Sequence, residues 1–295
     1  MGDQPRNGRL EYIAGPRIVG AKYFDIDDIA PVPGSASNPK SLPHMKPSSK
    51  MFACAMDQMG ITPSDNLYVY ATKGCGFFHR AYWTLASCGY HDPSKVKLMQ
   101  GSLDEWKESG GELENEALEE DDPRLFRMGE LDWESMSPKY KCWKGGDSGG
   151  DVDMKQVLDV VKGGVSSDAI IVDARSAGRF VGKDPELRAG LRGGHMPGAV
   201  NVPFVSLLDS NDVTKFRTME EVKDSFIKAG IAPLDEGNSV PRKVICTCGS
   251  GVTAAALAVG LEECGLRKKE DIYIYDGSWI EWGGDNHTPV VSGND

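Results

Sequence analysis

The chain repeats itself at long range, and that limits its fold more than any other feature. Gly101-Ser-Leu-Asp-Glu-Trp and Gly277-Ser-Trp-Ile-Glu-Trp share Gly-Ser-x-x-Glu-Trp at an offset of 176 residues. Gly194-His-Met-Pro-Gly-Ala-Val-Asn sets its Gly198-Ala over Gly20-Ala of Pro16-Arg-Ile-Val-Gly-Ala-Lys-Tyr, an offset of 178. Val244-Ile-Cys-Thr-Cys lies over Leu67-Tyr-Val-Tyr-Ala, an offset of 177. Three matches at nearly one offset describe one unit built twice, which suits 295 residues at roughly 150 per domain. Two copies are too few for a solenoid. The expected units are residues 1–143 and 151–295, with the Gly-rich stretch 144–150 as linker.

The second unit alternates strand and helix. Ala169-Ile-Ile-Val-Asp, Ala199-Val-Asn-Val-Pro, Lys243-Val-Ile-Cys-Thr and Asp271-Ile-Tyr-Ile-Tyr read as short buried strands. Met219 to Ala229 has helical spacing and stops at Gly230, and Val252 to Glu263 reads as a helix closed near Gly265. The pattern predicts an α/β fold: a mainly parallel sheet with helices on both faces. The first unit is shorter. At this offset the counterpart of Ile170-Ile-Val-Asp falls before residue 1, so either a first strand and helix are lost or the chain begins inside a longer protein. Before the linker, residues 112–122 carry seven acidic side chains in eleven and read as a solvated segment.

The totals exclude several classes. A net charge of -11 argues against nucleic acid and anionic membrane as partners. No apolar run approaches the ~20 residues that span a bilayer, and the first ten residues lack the apolar stretch of a signal peptide. Seven scattered cysteines fit reduced thiols rather than a disulfide framework. The expected compartment is the cytoplasm, or the mitochondrion if the N-terminus is truncated. Cys246-Thr-Cys248 has no second ligand pair, so neither metal nor cofactor is expected.

Cys248 stands where a predicted strand gives way to Gly249-Ser-Gly-Val-Thr and then a helix. Ligands of parallel α/β sheets bind beyond the carboxyl ends of the strands. Glycines at 249 and 251 allow a tight turn with N–H groups pointing inward, a nest for an anion. The helix N-terminus and the hydroxyls of Ser250 and Thr253 favour a thiolate or persulfide there. Cysteine-dependent phosphate chemistry needs an arginine six residues on, where this chain has Ala254. Cys246 reads as a core thiol and Cys75 as a loop cysteine without a role in the site.

The loop Cys248-Gly-Ser-Gly-Val-Thr-Ala resembles that of the 3-mercaptopyruvate sulfurtransferases, within the rhodanese superfamily. Asp173-Ala-Arg-Ser, Gly178-Arg-Phe, Gly194-His-Met-Pro-Gly-Ala, Asp276-Gly-Ser-Trp-Ile-Glu-Trp, Tyr23-Phe-Asp-Ile-Asp and Leu42-Pro-His-Met extend the resemblance. It implies two rhodanese-like domains, with Cys248 as nucleophile in the second. The first carries Ala71 at the matching position. It also implies Arg179 and Arg188 as receptors of the substrate carboxylate. Gly249, Gly251, Val252 and Thr253 would form the rest of the binding loop. A relay of Ser250, His44 and Asp27 would protonate the departing enolate, although an insertion, Pro33-Gly-Ser-Ala-Ser-Asn-Pro, separates the last two. His195 is expected to be structural, and Asp276 and Ser278 to brace the loop. The implied reaction moves sulfur from 3-mercaptopyruvate to thioredoxin, a small dithiol or cyanide, releasing pyruvate. Thiosulfate-preferring relatives carry basic residues where this chain has Gly249 and Ser250. A thiosulfate:cyanide sulfurtransferase and a non-catalytic protein-binding module are the alternatives.

Overall fold

The structure, a computed structural model, describes residues 6–126, 135–140, 150–163, 168–234 and 240–293. Most of the linker at 144–150 lies outside them. The first half contains α1 (Gly8–Ala14), β1 (Arg17–Ile18), α2 (Ile26–Ile29), α3 (Ser49–Gln58), β2 (Leu67–Ala71), α4 (His79–Ser87), β3 (Val96–Ser102), α5 (Leu103–Glu108) and β4 (Leu113–Glu114). The second contains β5 (Gly150–Val152), α6 (Met154–Gly163), β6 (Ala169–Asp173), α7 (Ala177–Phe180), β7 (Val200–Asn201), α8 (Met219–Lys228), β8 (Lys243–Thr247), α9 (Ala254–Glu263), β9 (Ile272–Tyr275) and α10 (Ser278–Trp282).

The second half forms one five-stranded sheet in the order β5-β9-β8-β6-β7, and every pairing in it is parallel. Its central strands are apolar because both faces are covered. Val244 and Cys246 are wholly buried, and Ile245 nearly so. Helix α8 is closed at its start by a capping box, in which Thr218 and Glu221 each accept the other's backbone N–H. Helix α9 begins at Ala254, two residues later than its pattern predicts, because Val252 and Thr253 complete the turn after the cysteine.

The internal repeat is visible as geometry. β2 and β3 pair in parallel as β8 and β9 do. Gly20 and Gly198 both take left-handed φ, 73° and 76°, so the repeated Gly-Ala marks one turn made twice. The halves differ in their sheets. Among the described residues β2 pairs only with β3, whereas its counterpart β8 lies between β9 and β6. A separate antiparallel pair, β1 with β4, completes the first half. The acidic segment 112–122 is largely solvated, with five of its seven carboxylates exposed, and the other two, Glu114 and Asp122, are paired. Glu114 binds both Arg17 and Arg124, and Arg124 also forks onto Asp122, holding that carboxyl down at about 2.

One apolar core runs through both halves. Helix α9, Ala-Ala-Ala-Leu-Ala-Val-Gly-Leu over its first eight residues, is buried throughout that stretch. A helix apolar on all sides needs cover on all sides. It packs against β8, β9 and α8 of its own half and against α4 of the other. This contact brings first-half side chains to the cysteine loop.

Candidate active site

Cys248 follows β8 directly and is 2% exposed. The loop after it is held from below by α10. Trp279 and Ile280 donate their N–H groups to the carbonyls of Cys248 and Gly249, at 3.0 and 2.9 Å. These first-turn N–H groups have no partner within their own helix. Ser278 Oγ accepts the N–H of Cys248 at 3.2 Å and donates to the Tyr275 carbonyl at 2.8 Å. To do so Ser278 adopts a φ of 48°, costly for a side-chain-bearing residue.

The N–H groups of Gly249, Ser250, Gly251 and Val252 donate to no acceptor among the described residues. Unpaired backbone donors in a run have the chemistry to receive an anion. The two glycines serve it differently. Gly251 has φ 80°, and a Cβ there would lie 2.7 Å from the Asp276 carbonyl, so no other residue fits. Gly249 needs only space: a Cβ there would stand 3.1 Å from Arg179 Nη2. Arg179 thus lies against the cysteine loop.

Arg188 does not share that placement. It is exposed and lines a 450 Å³ cavity with Gly182 to Glu186 and Ala189 to Leu191, with no ion pair among the described residues. His44 and Asp27 do meet, with His44 Nδ1 2.7 Å from Asp27 Oδ1. The insertion between them folds on itself around buried Asn38, whose amide and oxygen bond the Leu42 carbonyl and N–H. Ser250 and His44 share no hydrogen bond. His195 is buried, bonded through Nδ1 to the Phe180 carbonyl and stacked on the Phe180 ring, a packing role.

The group that joins the two halves of the site went unread in the sequence. Arg80 of α4, 1% exposed, forms an ion pair with Asp276 at 2.6 Å. The same guanidinium donates to the carbonyls of Gly251 (3.2 Å) and His44 (3.0 Å). Asp276 in turn accepts the N–H of Lys46 at 2.7 Å. Arg80 therefore ties the His44 segment and the cysteine loop to one point. Burial opposes its charge, but the carboxylates of Asp276 and Asp151 outweigh burial and raise its pKa. The available signal was one arginine within the apolar run Phe77-Phe-His-Arg-Ala-Tyr-Trp-Thr-Leu-Ala.

Comparison with known proteins fits this geometry. The rhodanese-like domain model matches residues 157–285. A probable 3-mercaptopyruvate sulfurtransferase of Schizosaccharomyces pombe is 34% identical over 94% of this chain and 82% of its own. The 3-mercaptopyruvate sulfurtransferase of Escherichia coli K12 is 32% identical over 98% and 88%. The chain belongs to this family. It is an enzyme, a sulfurtransferase. Among solved structures, Tum1 of Saccharomyces cerevisiae superposes with a TM-score of 0.76 at 27% identity, covering 98% of this chain and 88% of Tum1. No helix among the described residues of this sulfurtransferase is long and apolar enough to cross a membrane.

Cys246, two residues before Cys248, is wholly buried, and burial pushes its thiol far above the ordinary range. A thiol that does not ionise neither attacks nor resolves a disulfide. Replacing it, Cys246→Ala, is expected to keep sulfur transfer and cost about 1–2 kcal/mol of stability. Steady-state kinetics beside thermal melting check this, and loss of turnover in a folded variant would make Cys246 a participant.

Proposed function

We propose that this sulfurtransferase moves sulfur from 3-mercaptopyruvate through a persulfide on Cys248 to a thiol acceptor. The run of unpaired N–H groups from Gly249 to Val252, beside Cys248 and under Arg179, carries the reading. That nest stabilises a thiolate and later the persulfide anion. The Cys248 thiolate attacks the thiol sulfur of the donor. The S–S bond forms as the donor's C–S bond breaks, and the electron pair passes into the ketone as an enolate. A proton from the Ser250, His44 and Asp27 group converts the enolate to pyruvate. The acceptor thiolate, from thioredoxin or a small dithiol, then takes the outer sulfur and restores Cys248. Arg179 receives the donor's carboxylate, and the exposed Arg188 would join it as the 182–193 loop settles on the substrate. Covalent transfer of this kind predicts ping-pong kinetics.

One relative, an Arabidopsis thaliana protein 31% identical over 99% of this chain, bears both thiosulfate and 3-mercaptopyruvate in its name. The deciding measurement is kcat/KM with each donor, and 3-mercaptopyruvate is expected to be favoured because the loop has no basic side chain at 249 or 250. Mass spectrometry of donor-treated protein should find Cys248 heavier by one sulfur, and an unmodified Cys248 in folded protein would overturn the reading.

Ser250→Ala separates the relay from the nest. The variant keeps the backbone donors and removes one hydroxyl. Turnover of 3-mercaptopyruvate should fall about ten- to a hundred-fold, the rate equivalent of a charge-assisted hydrogen bond of about 1.5–3 kcal/mol. Thiosulfate turnover should fall less, because sulfite leaves without protonation. Equal losses with both donors would confine Ser250 to the thiolate and remove it from the relay.

A further inference from the structure

We propose that Glu186 sets the donor preference of this enzyme by cancelling the charge of Arg179. The inference rests on the reading of Arg179 as the carboxylate receptor beside Cys248. The Glu186 side chain is only 2% exposed, although its neighbours at 182–185 and 187–190 are all exposed. Its two oxygens face two guanidinium groups. Oε1 accepts from Arg175 Nη1 at 2.7 Å. Oε2 accepts from Arg179 Nη2 at 2.5 Å and Nε at 3.2 Å.

Arg175 has no charge to spare. It is fully buried, forks onto Asp173 and donates to the Gly194 carbonyl, while its guanidinium lies 4.0 Å above the Trp279 ring. Two carboxylates thus balance two guanidinium groups, and the cluster presents no net charge to the cysteine loop. What Arg179 still offers is direction. Glu186 fixes its Nε and Nη2 edge, and the guanidinium lies against Gly249 with Nη1 not used by any protein acceptor among the described residues.

A held, neutralised guanidinium distinguishes anions by shape more than by charge. 3-Mercaptopyruvate brings one planar carboxylate, which the Nη1 side of Arg179, left unused by Glu186, can receive. Thiosulfate brings two negative charges and no carboxylate, so it depends on net positive potential that Glu186 removes. The absence of basic side chains at 249 and 250 works in the same direction. Selectivity thus has a second source, from a carboxylate that does not touch the substrate.

Glu186→Gln removes the charge at nearly constant size, and Glu186→Asp keeps the charge while shortening the arm. With Gln, kcat/KM for thiosulfate should rise about ten-fold, the response of a dianion to one lost negative charge at short range. For 3-mercaptopyruvate the gain from charge is offset by a less firmly held Arg179, leaving the value within about three-fold. The donor ratio therefore shifts toward thiosulfate. With Asp the ratio should stay near that of the parent even where both activities fall. A ratio unmoved by Gln, or both donors falling in proportion, would reduce Glu186 to a structural brace and overturn the proposal. Arg179→Gln is the separate control: if it leaves KM for 3-mercaptopyruvate unchanged, the carboxylate role of Arg179 fails irrespective of the Glu186 result.

Discussion

Cys248→Ser should remove sulfur transfer while leaving the fold in place. The backbone contacts that hold the loop use the N–H and carbonyl of residue 248, not its sulfur, so a serine keeps them. A serine hydroxyl stays protonated near neutral pH and forms no bond to sulfur that could stand in for a persulfide. Loss of a nucleophile costs roughly 10⁴- to 10⁶-fold in turnover where it has been isolated. The expected result is a variant with a melting temperature close to the parent, no added sulfur after donor treatment, and turnover at background. Residual activity above about one per cent of the parent would mean that another thiol carries the sulfur. Two of the other cysteines, Cys246 and Cys88, make poor substitutes. Cys246 and Cys88 are buried, and burial pushes the Cys88 thiol up to about 12.

Arg80→Met should damage stability and turnover together, and a second substitution should separate the two. Removing one partner of a buried ion pair leaves the other charge without compensation, at about 3–5 kcal/mol. For a chain of this size that corresponds to a drop in Tm of roughly 10 °C. Turnover falls by a different route, because the Gly251 and His44 carbonyls lose their shared donor and the His44 segment is no longer tied to the cysteine loop. Adding Asp276→Asn removes the orphaned charge while its side-chain oxygen can still accept the Lys46 N–H. The double variant should regain most of the lost stability and little of the lost turnover. Thermal melts of the four proteins give the coupling between the two residues, expected at about 1–3 kcal/mol for groups in direct contact. Losses that simply add would mean that Arg80 and Asp276 act independently.

Much of the second half could be read from the chain alone. Strand β6 spans Ala169–Asp173 and β8 spans Lys243–Thr247, as their apolar runs predict, and α8 stops where Gly230 ends its pattern. The position of Cys248 at a strand end was equally legible. Each of these features is local: a strand or helix depends on the spacing of apolar residues within a few turns.

The repeat carried one step further, since two stretches of like sequence imply like turns, and Gly20 and Gly198 share their backbone conformation. Local pattern does not state which charged side chains from different segments will face one another. Arg80 stands in an apolar run of the sequence, and only the packing of α4 on α9 placed it between Asp276, Gly251 and His44. Nothing in the local pattern marks Glu186, and only the folded 182–193 loop set it between Arg175 and Arg179. The Asp27–His44 contact survives an insertion because the inserted residues close on Asn38. By itself, the sequence determined the main strands and two long helices of the second half and the place of Cys248, which follow from short-range periodicity, and the duplication, which follows from motifs matched at one long offset. The tertiary structure decided the charge balance around Cys248, because ion pairs depend on the relative placement of segments distant in the chain.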